Sequence, residues 1–104
     1  MRSTLTLLFG TTELSVDLPV SDPAWPADEA RQWLDRQFLA HDCEPLRASG
    51  KVLTADKLLA IAAAIGAQRF ERDPALRLDF ARAALGALAR PLVRIDVDAA
   101  SVTF

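Results

Sequence analysis

The chain has 104 residues but only one cysteine, Cys43, one histidine, His41, and no tyrosine. A single cysteine cannot form a disulfide within the chain, and a small domain without a cross-link is typical of a reducing compartment. We therefore expect a cytoplasmic protein. Structural zinc sites normally use four cysteine or histidine ligands, and catalytic zinc sites usually use three protein ligands. One residue of each kind does not supply such a set, so we expect no metal and no cofactor.

The four glycines (Gly10, Gly50, Gly66, Gly86) are scattered and form no phosphate-binding loop. No serine, histidine and aspartate order typical of a catalytic triad is present, and no helical pair of histidines. The stretch "HDCE", residues 41–44, is the one place where several reactive side chains follow each other. We interpret it as the end of a helix, with Cys43 either a small apolar residue in the packing or an exposed thiol, and we expect no catalytic residue and no enzyme.

The chain also lacks an excess of positive charge and a long hydrophobic run. Its net charge of −2 argues against a general nucleic-acid binder. The most apolar window, "LLAIAAAIGA", is about half the roughly 20 residues that cross a bilayer. The apolar N-terminus is interrupted by Thr4 and Thr6 and no small-residue cleavage site follows, so we expect neither a signal peptide nor a membrane protein.

Alanine and leucine dominate the apolar residues, with 19 Ala and 16 Leu against 6 Val and 3 Ile. This composition favours helix over strand. The hydrophobic share of 51% and the charged share of 25% are close to globular averages. The length suits one domain, so we predict a single globular domain over residues 1–104.

The opening "TLTLLFGTTELSVDL" predicts a β-hairpin. A two-residue type II′ turn at Gly10 and Thr11 would pair Leu7 with Leu14. In that register the alternating apolar residues share one face of the hairpin: Leu5, Leu7, Phe9, Leu14, Val16.

A proline-rich connection with Trp25 between Pro23 and Pro26 precedes the first predicted helix. We expect this helix to begin near Pro26 or Ala27 and to end near His41, because Pro45 disfavours helical geometry at the residue before it. One helical stripe carries its apolar residues and ends on the histidine: Ala30, Trp33, Leu34, Phe38, His41.

Two Ala-rich helices should follow. The first begins after Thr54, its expected cap, and ends near Gly66. The second begins at Asp73–Pro74. It should bury a stripe, with Phe80 and Ala84 beside it, that we predict to be Leu78, Ala81, Leu85, Leu88. The alternating segment "LVRIDVD" after Pro91 predicts a half-buried strand.

These elements predict an α+β fold of order β-β-α-α-α-β, with the N-terminal hairpin and the C-terminal strand in one small antiparallel or mixed sheet packed by three helices. The opening order of hairpin, helix and "LRASGKVL" also resembles a ubiquitin-like β-grasp, in which a helix crosses the sheet after the hairpin. A β-grasp-like fold with inserted helices is therefore the alternative.

The surface offers a few candidates for partner binding. Trp25 either packs on Trp33 or Leu34 as a hydrophobic staple, or anchors a partner. Asp28 and Glu29 belong to an acidic N-terminal half, with eight acids and two arginines between residues 11 and 44. Arg77 and Arg82 belong to a basic segment, with six arginines and three acids between residues 69 and 94; local pairs with Asp73 and Asp79 are expected.

We predict a non-catalytic protein that acts through protein–protein recognition, as an adaptor, regulator or accessory subunit. Its partner would be another protein, or a second copy held through the Ala-rich helices. The alternative is a small-molecule or metal-binding protein that uses Cys43 and His41. Nucleic-acid binding is a third and weaker hypothesis, because it requires an uncompensated basic face with aromatic platforms.

Overall fold

A computed structural model describes residues 3–41 and 55–104. Four strands form one mixed sheet in the order β2-β1-β3-β4, and four helices accompany it among the described residues. The α+β class is therefore confirmed, with one more helix and one more strand than the sequence predicted. The elements in chain order are β1 (Ser3–Phe9), β2 (Thr12–Leu18), α1 (Ala27–Ala40), α2 (Ala55–Ile65), α3 (Ala67–Arg72), α4 (Pro74–Leu88), β3 (Leu92–Asp96) and β4 (Ser101–Thr103).

The N-terminal hairpin has the predicted register. Leu7 pairs with Leu14 across the antiparallel strands β1 and β2. Gly10 has φ of 63° in the connecting turn, the left-handed conformation expected of the first position of a type II′ turn. Leu5 and Leu7 are fully buried, and the other three residues of the predicted face pack against the core.

β3 lies parallel to β1, with Leu7 opposite Ile95, so the central pair of the sheet is parallel. The antiparallel strand β2 returns the chain to the end of the sheet where β1 begins, and β3 starts at that same end, so it runs parallel to β1. β4 then turns back antiparallel to β3, with Val102 opposite Ile95. β4 was not predicted because three residues carry too little alternation to identify a strand.

The helix boundaries follow the local signals. α1 begins at Ala27 and His41 is its C-terminal cap. The Asp73 carboxylate accepts a hydrogen bond from the Leu76 amide at 3.0 Å and caps α4, as predicted. The short helix α3 was missed, because its six residues carry one large apolar side chain, Phe70, which is fully buried. The expected cap Thr54 lies outside the described residues.

α4 is the central helix of the described structure. It packs on β1, β2 and β3, and α1 packs chiefly on α4. The β-grasp alternative rested in part on "LRASGKVL", which lies outside the described residues, so it stays a prediction. The predicted stripe of α4 was partly wrong, because Leu78 and Leu88 are only half-buried. Since α4 contacts elements on several sides, a broad arc of it is buried instead: Phe80, Ala81, Ala83, Ala84, Leu85.

Apart from Leu8, the buried apolar side chains of the described residues form one core cluster, drawn from β1, β2, β3 and all four helices. None of the helices within the described ranges is long and apolar enough to cross a membrane.

Candidate partner-binding surface

The proline-rich segment before α1 is held against α4 by backbone contacts. The Trp25 amide donates a hydrogen bond to the carbonyl oxygen of Arg82 at 3.2 Å. One turn further along α4, Gly86 has no side chain, and a Cβ there would overlap the Trp25 carbonyl oxygen and lie 3.1 Å from its carbonyl carbon. The backbone of Trp25 therefore rests directly on the α4 backbone, which only glycine at position 86 permits.

The Arg82 side chain holds the same segment from the side. Its Nε donates to the carbonyl oxygen of Pro23 at 3.2 Å, and its Nη2 lies 3.1 Å from Asp22 Oδ1. The guanidinium carbon lies 4.5 Å from the centre of the Trp25 ring, a cation–π distance. The local pair expected with Asp79 is therefore wrong, because Arg82 pairs with the residue three positions before Trp25. An ion pair this exposed contributes at most about 1 kcal/mol, so its main effect is positional.

Trp25 packs on Trp33, with ring centres 6.1 Å apart and planes tilted by 58°. Trp33 in turn meets Phe80 of α4 edge-on, with ring centres 6.2 Å apart. Trp33 is 9% exposed, whereas Trp25 is half-buried and keeps part of its surface open to solvent. This is the contact expected of a hydrophobic staple, and it leaves Trp25 both fixed and accessible.

A groove runs beside the two tryptophans on the outside of α1. It has a volume of about 300 Å³ and is lined by Trp25, Glu29, Gln32, Trp33 and Arg36, which we call the α1 groove. Glu29 and Arg36 are exposed. Among the described residues, neither makes a hydrogen bond or an ion pair. The groove therefore combines an aromatic floor with one carboxylate and one guanidinium that have no partner within the described fold.

The predicted site residues divide into two groups. Trp25, Arg82 and Glu29 lie together around the α1 groove, and Asp28 is exposed beside Glu29 in the first turn of α1. Arg77 lies away from the groove, at the C-terminal end of α3. Its Nη1 donates hydrogen bonds to the carbonyl oxygens of Phe70 at 2.6 Å and of Glu71 at 3.0 Å.

The expected pair of Arg77 with Asp73 is also wrong. The Asp73 carboxylate caps α4 by accepting from the Leu76 amide, and the Arg77 guanidinium satisfies carbonyls that the end of α3 leaves open. Arg36 was not recognised as a site residue in the sequence. The available signal was a glutamate and an arginine seven residues apart on either side of Trp33.

A second accessible surface lies on the outer face of the sheet. A shallow hollow of about 140 Å³ there is lined by residues of β1, β3 and the C-terminus, including Thr6, Arg94 and Phe104. Leu92 is 58% exposed and Phe104 is 59% exposed. The Arg90 guanidinium carbon lies 5.7 Å from the centre of the Phe104 ring. Sequence reasoning missed this surface, because Phe104 follows a strand that was not predicted.

The described residues offer no buried polar side chain and no group of three His, Cys, Asp or Glu residues that could hold a metal. His41 is half-buried at the end of α1. Asp42, Cys43 and Glu44 lie outside the described residues, so the prediction that "HDCE" binds no metal stays a prediction.

No protein-family model matches the chain, and comparison with curated proteins and with solved structures gave no match either. A functional assignment therefore depends on this chain's own residues.

Proposed function

We propose that this protein acts by protein–protein recognition, as an adaptor, regulator or accessory subunit, and that a partner binds at the α1 groove. The observation that carries the proposal is the fixed, partly exposed Trp25 beside Glu29 and Arg36. Tryptophan is among the residues most enriched at binding hot spots. Because Arg82 and the α4 backbone already hold this tryptophan in place, little conformational entropy is lost when a partner covers it.

The two charges at the groove determine which partner chemistry can bind there. Glu29 and Arg36 stand on the same side of α1 with the aromatic floor between them. A partner with a cationic and an anionic group at a matching distance would satisfy both. Such rim charges mainly accelerate association and select the partner, and their effect weakens as salt screens them over a Debye length of roughly 8–10 Å.

The non-catalytic part of the proposal is supported by the surroundings of the polar side chains. Catalysis requires titratable groups that converge in a cleft. Within the described ranges the polar side chains lie at or near the surface, and Arg77 and Arg82 are engaged in contacts between structural elements. A cytoplasmic location belongs to the same proposal, and its support is the single cysteine.

The proposal is tested by affinity capture from a lysate of the source organism with tagged wild-type protein and three variants. Glu29→Lys and Arg36→Glu each reverse one charge of the groove. Arg31→Glu is the matched control, because Arg31 is exposed on α1 but does not line the groove.

We expect a protein that is captured by the wild type and by Arg31→Glu, and that is lost with either groove variant or at high salt. Capture that is indifferent to both groove variants would contradict the proposed surface. A substrate whose turnover disappears on changing Cys43 or His41 would contradict the non-catalytic function.

A further inference from the structure

The outer face of α1 carries two opposite charges and one exposed apolar side chain. Successive helical residues are 100° apart, so Glu29, Gln32, Arg36 and Leu39 fall within an arc of about 80° on the side away from the core. Leu39 is 63% exposed, an unusual exposure for a large apolar residue on a packed helix.

The spacing of the charges prevents them from pairing within the helix. Glu29 and Arg36 are seven residues apart, which corresponds to a rise of about 10 Å along the axis. This distance exceeds the reach of a direct ion pair, and neither side chain has a partner among the described residues.

A second copy of α1 would provide an oppositely charged partner for both Glu29 and Arg36. If two copies lie antiparallel about a twofold axis between Gln32 and Trp33, Glu29 of each copy lies opposite Arg36 of the other. A twofold interface is self-complementary by definition, so a single patch yields two ion pairs. A parallel arrangement in the same register would instead place Glu29 opposite Glu29.

The same twofold arrangement covers the apolar residues. Leu39 of one copy falls opposite Pro26 of the other, next to the half-exposed Trp25. The exposed leucine and the accessible tryptophan ring would therefore meet twice in one interface, at its two ends. Burying such apolar surface contributes about 25 cal/mol per Å².

We propose that the occupant of the α1 groove is a second copy of this chain, in an antiparallel α1–α1 dimer with two intermolecular Glu29–Arg36 ion pairs. This inference rests on the proposed function and names the partner of the same groove. It differs from the sequence-based hypothesis of association through the Ala-rich helices. Ala81, Ala83 and Ala84 of α4 are buried inside the fold, whereas Ala60, Ala63 and Ala64 of α2 are exposed.

The contact area predicts a weak dimer. α1 has 14 residues and is therefore about 21 Å long. Two packed helices of this length bury a surface area at or below the smallest areas that specific protein–protein interfaces bury. We therefore expect association that depends on protein concentration and weakens with added salt.

Sedimentation velocity of the pure protein tests the dimer, over about 10 µM to 1 mM protein at low salt. The wild type should shift from monomer to dimer with rising concentration. Glu29→Lys and Arg36→Glu should each weaken association by about tenfold or more, because each places like charges opposite one another twice. An equimolar mixture of the two variants should restore association, because every basic side chain in the mixed dimer then faces an acidic one.

Arg31→Glu should associate like the wild type, and far-UV circular dichroism should show the same helix content for all variants, since the three positions are exposed. A wild type that stays monomeric throughout, or a mixture that associates no better than its components, would overturn the dimer. If the wild type is monomeric but captures another protein in a groove-dependent manner, the dimer is overturned and the recognition function stands. If capture also ignores the groove, both fail.

Discussion

Replacing Gly86 with alanine should destabilise the protein although it improves the helix. Alanine is favoured over glycine in a helix interior by about 1 kcal/mol. At this position, however, the new methyl group would overlap the Trp25 carbonyl oxygen and approach two further backbone atoms of Trp25 at 3.1 and 3.2 Å. Backbone atoms cannot rotate away, so the whole proline-rich segment must shift.

The expected magnitude follows from what that shift breaks. The Trp25 hydrogen bond to the Arg82 carbonyl is worth about 1 kcal/mol, and overpacking typically costs about 1–3 kcal/mol. After subtracting the helix gain, Gly86→Ala should lower the free energy of unfolding by about 1–3 kcal/mol.

Urea denaturation followed by tryptophan fluorescence measures this loss. Ala63→Gly, at an exposed position inside α2, provides the control, since it should cost about 1 kcal/mol through helix propensity. If Gly86→Ala instead stabilised the protein by about 1 kcal/mol, helix propensity alone would be acting. The close approach of Trp25 to α4 would then be refuted.

Other contacts give smaller, separable effects. Arg77→Ala should cost about 1–2 kcal/mol in urea denaturation through the lost carbonyl contacts, and no change would contradict its role at the end of α3. Asp73→Ala should cost about 1 kcal/mol while Asp73→Asn costs little; equal losses would argue against capping. Gly10→Ala should cost about 1–2 kcal/mol because φ is positive, and a neutral result would exclude the turn. A chelator should leave the melting temperature unchanged and His41→Ala should cost at most about 1–2 kcal/mol; unfolding by the chelator would reveal a metal.

The features predicted from the sequence are those that depend on neighbouring residues. The hairpin register follows from alternation and one glycine turn, so Leu7 and Leu14 could be paired without any other part of the chain. The start of α4 follows from the dipeptide Asp73–Pro74. Such signals depend on a few neighbouring residues and not on the tertiary structure around them.

The features that were missed depend on residues distant in sequence. Arg82 was assigned to Asp79, three residues away, but its partner Asp22 is on a segment that the fold brings onto α4. Gly86 was noted in the sequence as one of four scattered glycines, whereas in the structure the backbone of Trp25 lies against it. Local spacing could not reveal either contact, because it carries no information on which segment packs against which.

The candidate site was predicted in part for the same reason. Trp25 and Glu29 were each named, but only the structure brings them to one groove and adds Arg36. Arg77 was grouped with Arg82 by charge, whereas its hydrogen bonds hold α3 to α4.

The central claim is that the α1 groove binds a polypeptide, and the two indole N–H groups of the chain test it most directly. In a dilution series followed by two-dimensional ¹H–¹⁵N NMR, the Trp25 indole signal and the amides of Glu29, Gln32 and Arg36 should shift with protein concentration. Signals of the outer sheet face, including Arg94, should not. Shifts confined to the sheet face would contradict the groove as the binding surface. Spectra independent of concentration would contradict the dimer, and the capture experiment would then decide whether the groove binds another protein.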